Sequence, residues 1–258
     1  MDVVIAPAAE LAGRAADAVE ELLTARPDAI LGLATGSSPL RVYDELTRRH
    51  RAHGLSFARA RAFTLDEYVG LPPEHPQRYR NVIRAEIESR VDFATGAVRA
   101  PDGDTADHEA ACQAYEDAIT AAGGVDLQLL GIGTDGHVAF NEPGSSLGSR
   151  TRVKTLTRQT RADNARFFDG DLDAVPRHCL TQGLATIMDA RRLVLLATGA
   201  GKAEAVRQLV EGPVSALWPA TILQMHPRVT VLIDDDAAGR LSLADYLRDV
   251  QAGALTST

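Results

Sequence analysis

The sequence predicts an α/β protein: a single domain with a doubly wound, mostly parallel sheet and helices on both faces. Three observations predict it. Short apolar runs of strand type, at 29–34, 125–130, 191–197 and 229–233, alternate with segments in which apolar residues recur at helical spacing. The connections are short, which in such an alternation implies right-handed crossovers between parallel strands. No Ser/Gly/Pro linker divides the 258 residues, a length that buries a substantial core as one unit; only the final stretch, 253–258 (GALTST), has the low complexity of a tail.

Composition narrows the function classes. A net charge of -8 argues against nucleic acid, whose phosphates are met by basic surfaces, yet leaves room for a small phosphate held by a few local donors. Cys112 and Cys179 lack CxxC or CxxH spacing, so neither a disulfide framework nor a zinc site is indicated and reduced thiols in a cytoplasmic protein are expected. No apolar run approaches a membrane span, and the N-terminus lacks the basic start and continuous apolar core of a signal peptide.

In chain order, a short first strand precedes a packing helix over about 7–26, where Leu11, Ala15, Val19, Leu22 and Leu23 share a face. Pro27 and Asp28 end it, and 29–34 reads as a buried parallel strand. That strand empties into Thr35-Gly36-Ser37-Ser38-Pro39, followed by a helix to about His53. A Gly and hydroxyl loop ending in a helix N-terminus is built to hold an anion; equally, Ser38 could simply cap the helix, and from the loop both readings stay open. Strand 61–65 delivers Asp66-Glu67-Tyr68 to its carboxyl end, where Asp66 is either a site acid or a turn residue. Helices over 76–91 and 104–122, the second carrying Cys112, lead to strand 125–130.

Directly after that strand comes GIGTDGHVAFNEP, 131–143. Asp135, His137 and Glu142 fall within eight residues at the carboxyl end of a strand, where open α/β sheets bind ligands. Two carboxylates flanking an imidazole orient it and stabilise its charged form, which makes a proton-transfer device near neutral pH. Gly131, Gly133 and Gly136 spell GxGxxG, but the chain runs on in turn formers to Pro143 where a dinucleotide fingerprint needs a helix, so no such cofactor site is expected.

Residues 149–166 are basic for an acidic chain, with Arg150, Arg152, Lys154, Arg158, Arg161 and Arg166; such runs are usually solvated faces, but this one adjoins the motif. Strand 191–197 ends in Thr198-Gly199-Ala200-Gly201-Lys202 before a helix, a second anion-ready turn. It is not a Walker A loop, because the upstream Gly is absent and Ala203 follows Lys202. A helix holding Trp218 as a core residue, a turn at 224–227 and strand 229–233 complete the sheet. Asp234, Asp235 and Asp236 read as starting or solvating the final helix, and no metal is assigned to them.

The 131–143 stretch, LDEYVGL at 65–71 and SRTRVKTLT at 149–157 resemble the glucosamine-6-phosphate deaminases, and the match runs from TGSSP at 35–39 to LQMHP at 223–227. The FNEP ending separates that family from the related 6-phosphogluconolactonases. The resemblance implies the doubly wound fold and conversion of D-glucosamine 6-phosphate and water into D-fructose 6-phosphate and ammonia, in N-acetylglucosamine catabolism, with no metal and no organic cofactor. It implies that His137 opens the sugar ring, assisted by Asp135 and Glu142, and that Asp66 shuttles the proton between C2 and C1. Phosphate would be held by Gly36, Ser37, Ser38, Arg166 and Lys202, with Thr35 and Gly133 lining the pocket and 156–176 acting as a lid. Ser145, Arg152 and Lys154 match residues that hold the activator N-acetylglucosamine 6-phosphate in regulated hexamers; monomers also occur in the family, and 241–258 departs from the regulated members. A homo-oligomer responding to that effector is expected. The competing readings are a lactonase and a non-catalytic sugar-phosphate sensor; Glu142 opposes the first, and the presence of all four proton carriers opposes the second.

Overall fold

The structure, a computed structural model, describes residues 1–253; most of the low-complexity end at 253–258 lies outside the described residues. The first half of the chain runs β1 (Asp2–Ile5), α1 (Ala8–Ala25), β2 (Ile30–Leu33), α2 (Ser37–His53), β3 (Arg61–Thr64), β4 (Asp66–Tyr68), α3 (Tyr79–Glu86), β5 (Val98–Arg99), α4 (His108–Ala122) and β6 (Leu127–Leu130). The second half runs β7 (Arg152–Thr155), α5 (Arg158–Asn164), β8 (His178–Thr181), α6 (Leu184–Met188), β9 (Leu193–Ala197), α7 (Ala203–Glu211), β10 (Val229–Ile233), α8 (Asp235–Ala238) and α9 (Ala244–Gly253).

Seven strands form a parallel sheet in the order β1-β10-β9-β6-β2-β3-β5. Its apolar runs are continuous because both faces are covered. Leu193 and Leu195 of β9 pack with Tyr115 and Ile119 of α4 and Leu209 of α7 on one face. Val194 and Leu196 point the other way, to Leu11 and Val19 of α1, Tyr43 of α2 and Ile83 of α3. From β2 the chain continues to β3 on one side, whereas after β6 it next joins this sheet at β9 on the other. The crevice outside the carboxyl ends of β2 and β6 is therefore the topological switch point.

Sequence periodicity does not reveal a second, antiparallel sheet of order β4-β8-β7. Asp66, read as the residue just past a strand end, is itself in a strand and pairs with Thr181. The crossover happens at Leu65, whose N–H still bonds Leu33 while its carbonyl accepts from Gln182. Other boundaries shift. The helix expected over 76–91 is confined to α3 and a 3-10 turn at Glu88–Arg90, after tight turns at Pro72 and His75. The one expected over 104–122 starts at His108, capped by Asp107, which accepts from Ala110 N–H at 2.9 Å. Trp218 is not in a helix: it pairs with Ser215 in a tight turn and precedes the 3-10 segment Pro219–Met225, only partly buried.

Candidate active site

A cavity of about 470 Å³ opens at the switch point, reached by the loops after β2, β3, β6 and β9. The first loop forms one wall with Thr35, Gly36, Ser37 and Ser38. Gly36 (φ 102) turns the chain into α2, and no side chain caps that helix. The capping role open to Ser38 in the sequence is thus not taken up, and Ser37 and Ser38, in the first turn of α2, line the cavity. Buried Tyr43 fixes the loop's root: its hydroxyl accepts from Ala34 N–H (3.1 Å) and donates to the Ala34 carbonyl (2.7 Å).

Lys202, after β9, and Arg166, in the 3-10 turn Ala165–Phe167, line the same cavity although 36 positions apart in sequence (202 − 166). Burial lowers the Lys202 ammonium below its ordinary value; Asp163 opposes this and the Arg166 charge adds to it. Two cations, two hydroxyls and a helix N-terminus along one cavity are groups that can hold an anion. Asp234, at the end of β10, supports this arrangement in a way the sequence did not signal. Both its oxygens accept from Gly199 N–H (2.9 and 3.0 Å), pinning the loop that carries Lys202, while Oδ1 also caps α8 through Ala237 N–H (2.8 Å).

The reacting end holds Asp66 and His137. Asp66 is buried, and burial pushes its carboxyl well above the ordinary aspartate range, with the neighbouring Glu67 charge pushing the same way. His137 packs against Gly133 so closely that a Cβ there would lie 2.3 Å from ring atoms, so the position must be glycine. Gly136 is likewise required, at φ 79 with the Trp218 ring against it. Asp135 Oδ1 lies 2.8 Å from His137 Nδ1, oblique to the ring's N–H direction, and accepts from the His137 backbone N–H at 3.1 Å. Burial alone would raise the Asp135 carboxyl, but the bond and charge of His137 outweigh it and hold it below the usual value.

Glu142 departs from the expectation that it flanks the imidazole. It is buried, and its carboxylate accepts from Thr157 N–H (3.1 Å to each oxygen) and the Thr157 hydroxyl (3.2 Å). Between His137 and Glu142 the chain turns at 138–141, where Val138 and Asn141 bridge and Ala139 adopts φ 52. Thr157 caps α5, so Glu142 anchors the start of the 156–176 segment. That segment packs through Leu156, Ala165, Phe168 and Val175 on Tyr68 and Phe140, and Arg161 closes it by donating to the carbonyls of Leu172 (2.6 Å) and Val175 (3.1 Å).

Ser145, Arg152 and Lys154 lie outside the cavity lining. Arg152 and Lys154 alternate on β7 and share a half-buried face. Ser145 Oγ and Arg152 Nη2 are both buried without a hydrogen-bond partner, a demand that an anionic ligand would meet. Chemically, the cavity brings together a buried carboxyl of raised proton affinity, an imidazole beside a carboxylate, and cations with hydroxyls suited to an anion, a set that can move protons on a phosphorylated molecule.

Residues 5–232 match the family model described as glucosamine-6-phosphate isomerases/6-phosphogluconolactonase. The glucosamine-6-phosphate deaminase of Mycolicibacterium smegmatis is 68% identical over 250 residues, 96% of each chain. That of Beutenbergia cavernae is 68% identical over 253 residues, 98% of this chain and 97% of its own. Among solved structures, a monomeric glucosamine-6-phosphate deaminase superposes with a TM-score of 0.90 at 43% identity, covering 93% of this chain and 99% of that one. The 6-phosphogluconolactonase of Trypanosoma brucei, at 22% identity and a TM-score of 0.76 over 93% of this chain and 98% of its own, shares the fold.

Proposed function

For a chain that belongs to the glucosamine-6-phosphate isomerase/6-phosphogluconolactonase family, we propose that the cavity at the switch point is where glucosamine-6-phosphate deamination takes place. The chain is an enzyme of amino-sugar metabolism that converts D-glucosamine 6-phosphate and water into D-fructose 6-phosphate and ammonia. The observation that carries the site assignment is one cavity that brings buried Asp66, its proton affinity raised by burial, and His137, with Asp135 2.8 Å from its Nδ1, together with Arg166 and Lys202.

In this reading the phosphate is bound by Ser37, Ser38, Arg166 and Lys202, with Thr35, Gly36 and Gly133 shaping the wall. His137, paired with Asp135, moves the proton between O1 and O5 that opens the ring. Asp66 then removes the C2 proton from the open-chain aldehyde, giving an enolamine, and returns a proton to C1. Water adds to the resulting C2 iminium, and the carbinolamine collapses to the ketone with loss of ammonia. A base raised by burial suits this step, because it binds the proton between its removal and its return. Glu142 acts through the 156–176 segment, which we read as a lid within a single catalytic domain: its bonds to Thr157 hold the segment that carries Arg166.

The unpartnered atoms of Ser145 and Arg152, with Lys154 beside them, support a second anion site for the effector N-acetylglucosamine 6-phosphate in a homo-oligomer. Saturation curves with and without that effector, on wild type and on Arg152→Ala/Lys154→Ala, test it: superimposable wild-type curves or a monomer by sedimentation remove it. Among the described residues no helix is long and apolar enough to cross a membrane, in keeping with work on a cytoplasmic sugar phosphate. The reaction itself is tested by incubating the purified protein with glucosamine 6-phosphate and, separately, 6-phosphogluconolactone. Ammonia and fructose 6-phosphate from the first are expected; lactone hydrolysis without ammonia would overturn the reading.

A further inference from the structure

Glu67 follows Asp66 on β4, points to the opposite side of the strand, and is completely buried. Its Oε1 accepts the backbone N–H of Tyr68 (2.8 Å) and of Tyr79 (2.9 Å), and its Oε2 accepts that of Arg80 (2.9 Å). Tyr79 and Arg80 are the first two residues of α3, whose own N-cap, Arg78, contributes no side-chain acceptor. Glu67 therefore caps α3 from a neighbouring strand, where a carboxylate is favoured by the helix dipole. All three partners are N–H donors, and the fourth neighbour is the Arg78 guanidinium, 4.0 Å from Oε2. Burial raises the Glu67 carboxyl above its usual value while the three N–H donors and Arg78 oppose it; because a protonated carboxyl would find no acceptor for its O–H among these partners, the geometry favours the ionised form.

The groups around the pair leave that charge largely uncompensated on the Asp66 side. From β4 comes the Tyr68 hydroxyl, from α3 Tyr79, from α4 Tyr115 and from β8 Cys179, all of which sense the Asp66 charge and all neutral near pH 7. Arg78 faces Glu67 and is shared with Asp104 at 2.8 Å; the cations of β7, Arg152 and Lys154, lie one strand further out, beyond β8. Gly103 closes the remaining side, where a Cβ would press on the Tyr68 carbonyl at 2.3 Å and on Glu67 Cγ at 3.4 Å. Tyr79, fixed by the same carboxylate, lines the cavity with Asp66.

We infer that Glu67 is a positioning residue of the deamination: it fixes a negative charge next to Asp66 in the chain, and its bonds tie the α3 wall of the cavity to the strand bearing the base. The inference rests on Asp66 being the base. Replacing Asp66 by Asn tests that reading separately, since an active Asp66→Asn enzyme would sink the reading whatever Glu67 does.

The experiment is the pH dependence of kcat/KM for glucosamine 6-phosphate in Glu67→Gln and Glu67→Asp, with thermal melts of both. In Glu67→Gln the negative neighbour is gone, so the acid limb moves to lower pH, on the order of one unit. Glu67→Asp keeps the charge and loses reach to α3, so it melts earlier while its limb stays at the wild-type position. The limb is a property of the active molecules, so partial unfolding does not disguise it. Should Glu67→Gln fail to fold, Arg78→Met removes the facing cation without touching the α3 backbone bonds, and its limb moves to higher pH. An unmoved limb in Glu67→Gln, an equal shift in Glu67→Asp, or an unmoved limb in Arg78→Met would overturn the inference and leave Glu67 a helix cap only.

Discussion

Gly133→Ala puts a methyl group into the imidazole. The new Cβ would lie 2.3 Å from both Cε1 and Nδ1 of His137 and 2.6 Å from Cγ. Carbon and nitrogen atoms rest at roughly 3.5 Å, so the ring or the loop must retreat by about 1.2 Å. Gly133 does not have positive φ, so alanine meets no torsional penalty there and the effect is purely steric. The retreat separates Nδ1 from the Asp135 oxygen now at 2.8 Å and loosens the Gly133 N–H to His137 carbonyl bond at 2.9 Å. A displacement of this size at a proton-transfer group costs about 100-fold in turnover. The assay is ammonia release from ring-closed glucosamine 6-phosphate at saturation, beside the same measurement on Gly131→Ala. Gly131 is in the same loop, but its added Cβ meets no atom within 4 Å, so that variant should stay within about twofold of wild type. Wild-type turnover in Gly133→Ala, or an equal loss in Gly131→Ala, would refute the steric argument and with it the placement of His137.

Asp66→Asn should abolish deamination yet raise the thermal midpoint. An acid whose folded-state pKa lies above its ordinary value of 3.8 costs stability progressively as pH rises from that value, so differential calorimetry should show the variant more stable at about pH 7 and equal to wild type at about pH 3.5. Asp135→Asn should do the reverse: the depressed Asp135 carboxyl contributes stability above its unfolded value of 3.8 that is lost as pH falls through the folded value, so melts of variant and wild type should differ at neutral pH and converge in acid. Arg166→Ala and Lys202→Ala should each weaken substrate binding by about 1.5 to 3 kcal/mol, read as a raised KM with kcat less affected, because their charges meet a group remote from C1 and C2. Asp234→Ala should raise KM in the same direction by freeing Gly199, and a KM equal to wild type would remove its assigned support of the Lys202 loop.

The parallel sheet was legible because its strands are buried on both faces and so read as unbroken apolar runs such as LVLLA in β9. The small antiparallel sheet was not: β4 has three residues, β7 and β8 four each, and in β7 the alternation rests on Arg152 and Lys154, too little to establish a period of two. At the site, the candidate anion loops could be read from glycine and hydroxyl chemistry, and in the structure Ser38 does not take the capping role. The bonds of Glu142 to Thr157 were not legible, because five residues of separation from His137 say nothing of direction where Ala139 holds the backbone at positive φ. Asp234 and Glu67 had no local signal: each supports the site by accepting N–H groups from a distant segment, a relation visible only in three dimensions.

Isotopic labelling at C2 addresses the central claim, that the chain deaminates by moving a proton from C2 to C1 rather than by displacing the amine. Glucosamine 6-phosphate carrying deuterium at C2 is converted in ordinary water, and the product is analysed by NMR. The account predicts fructose 6-phosphate with the deuterium found at C1, diluted by hydrogen from water, one ammonia per sugar, and a turnover slowed by the isotope. Glucose 6-phosphate with its C2 deuterium intact would contradict it.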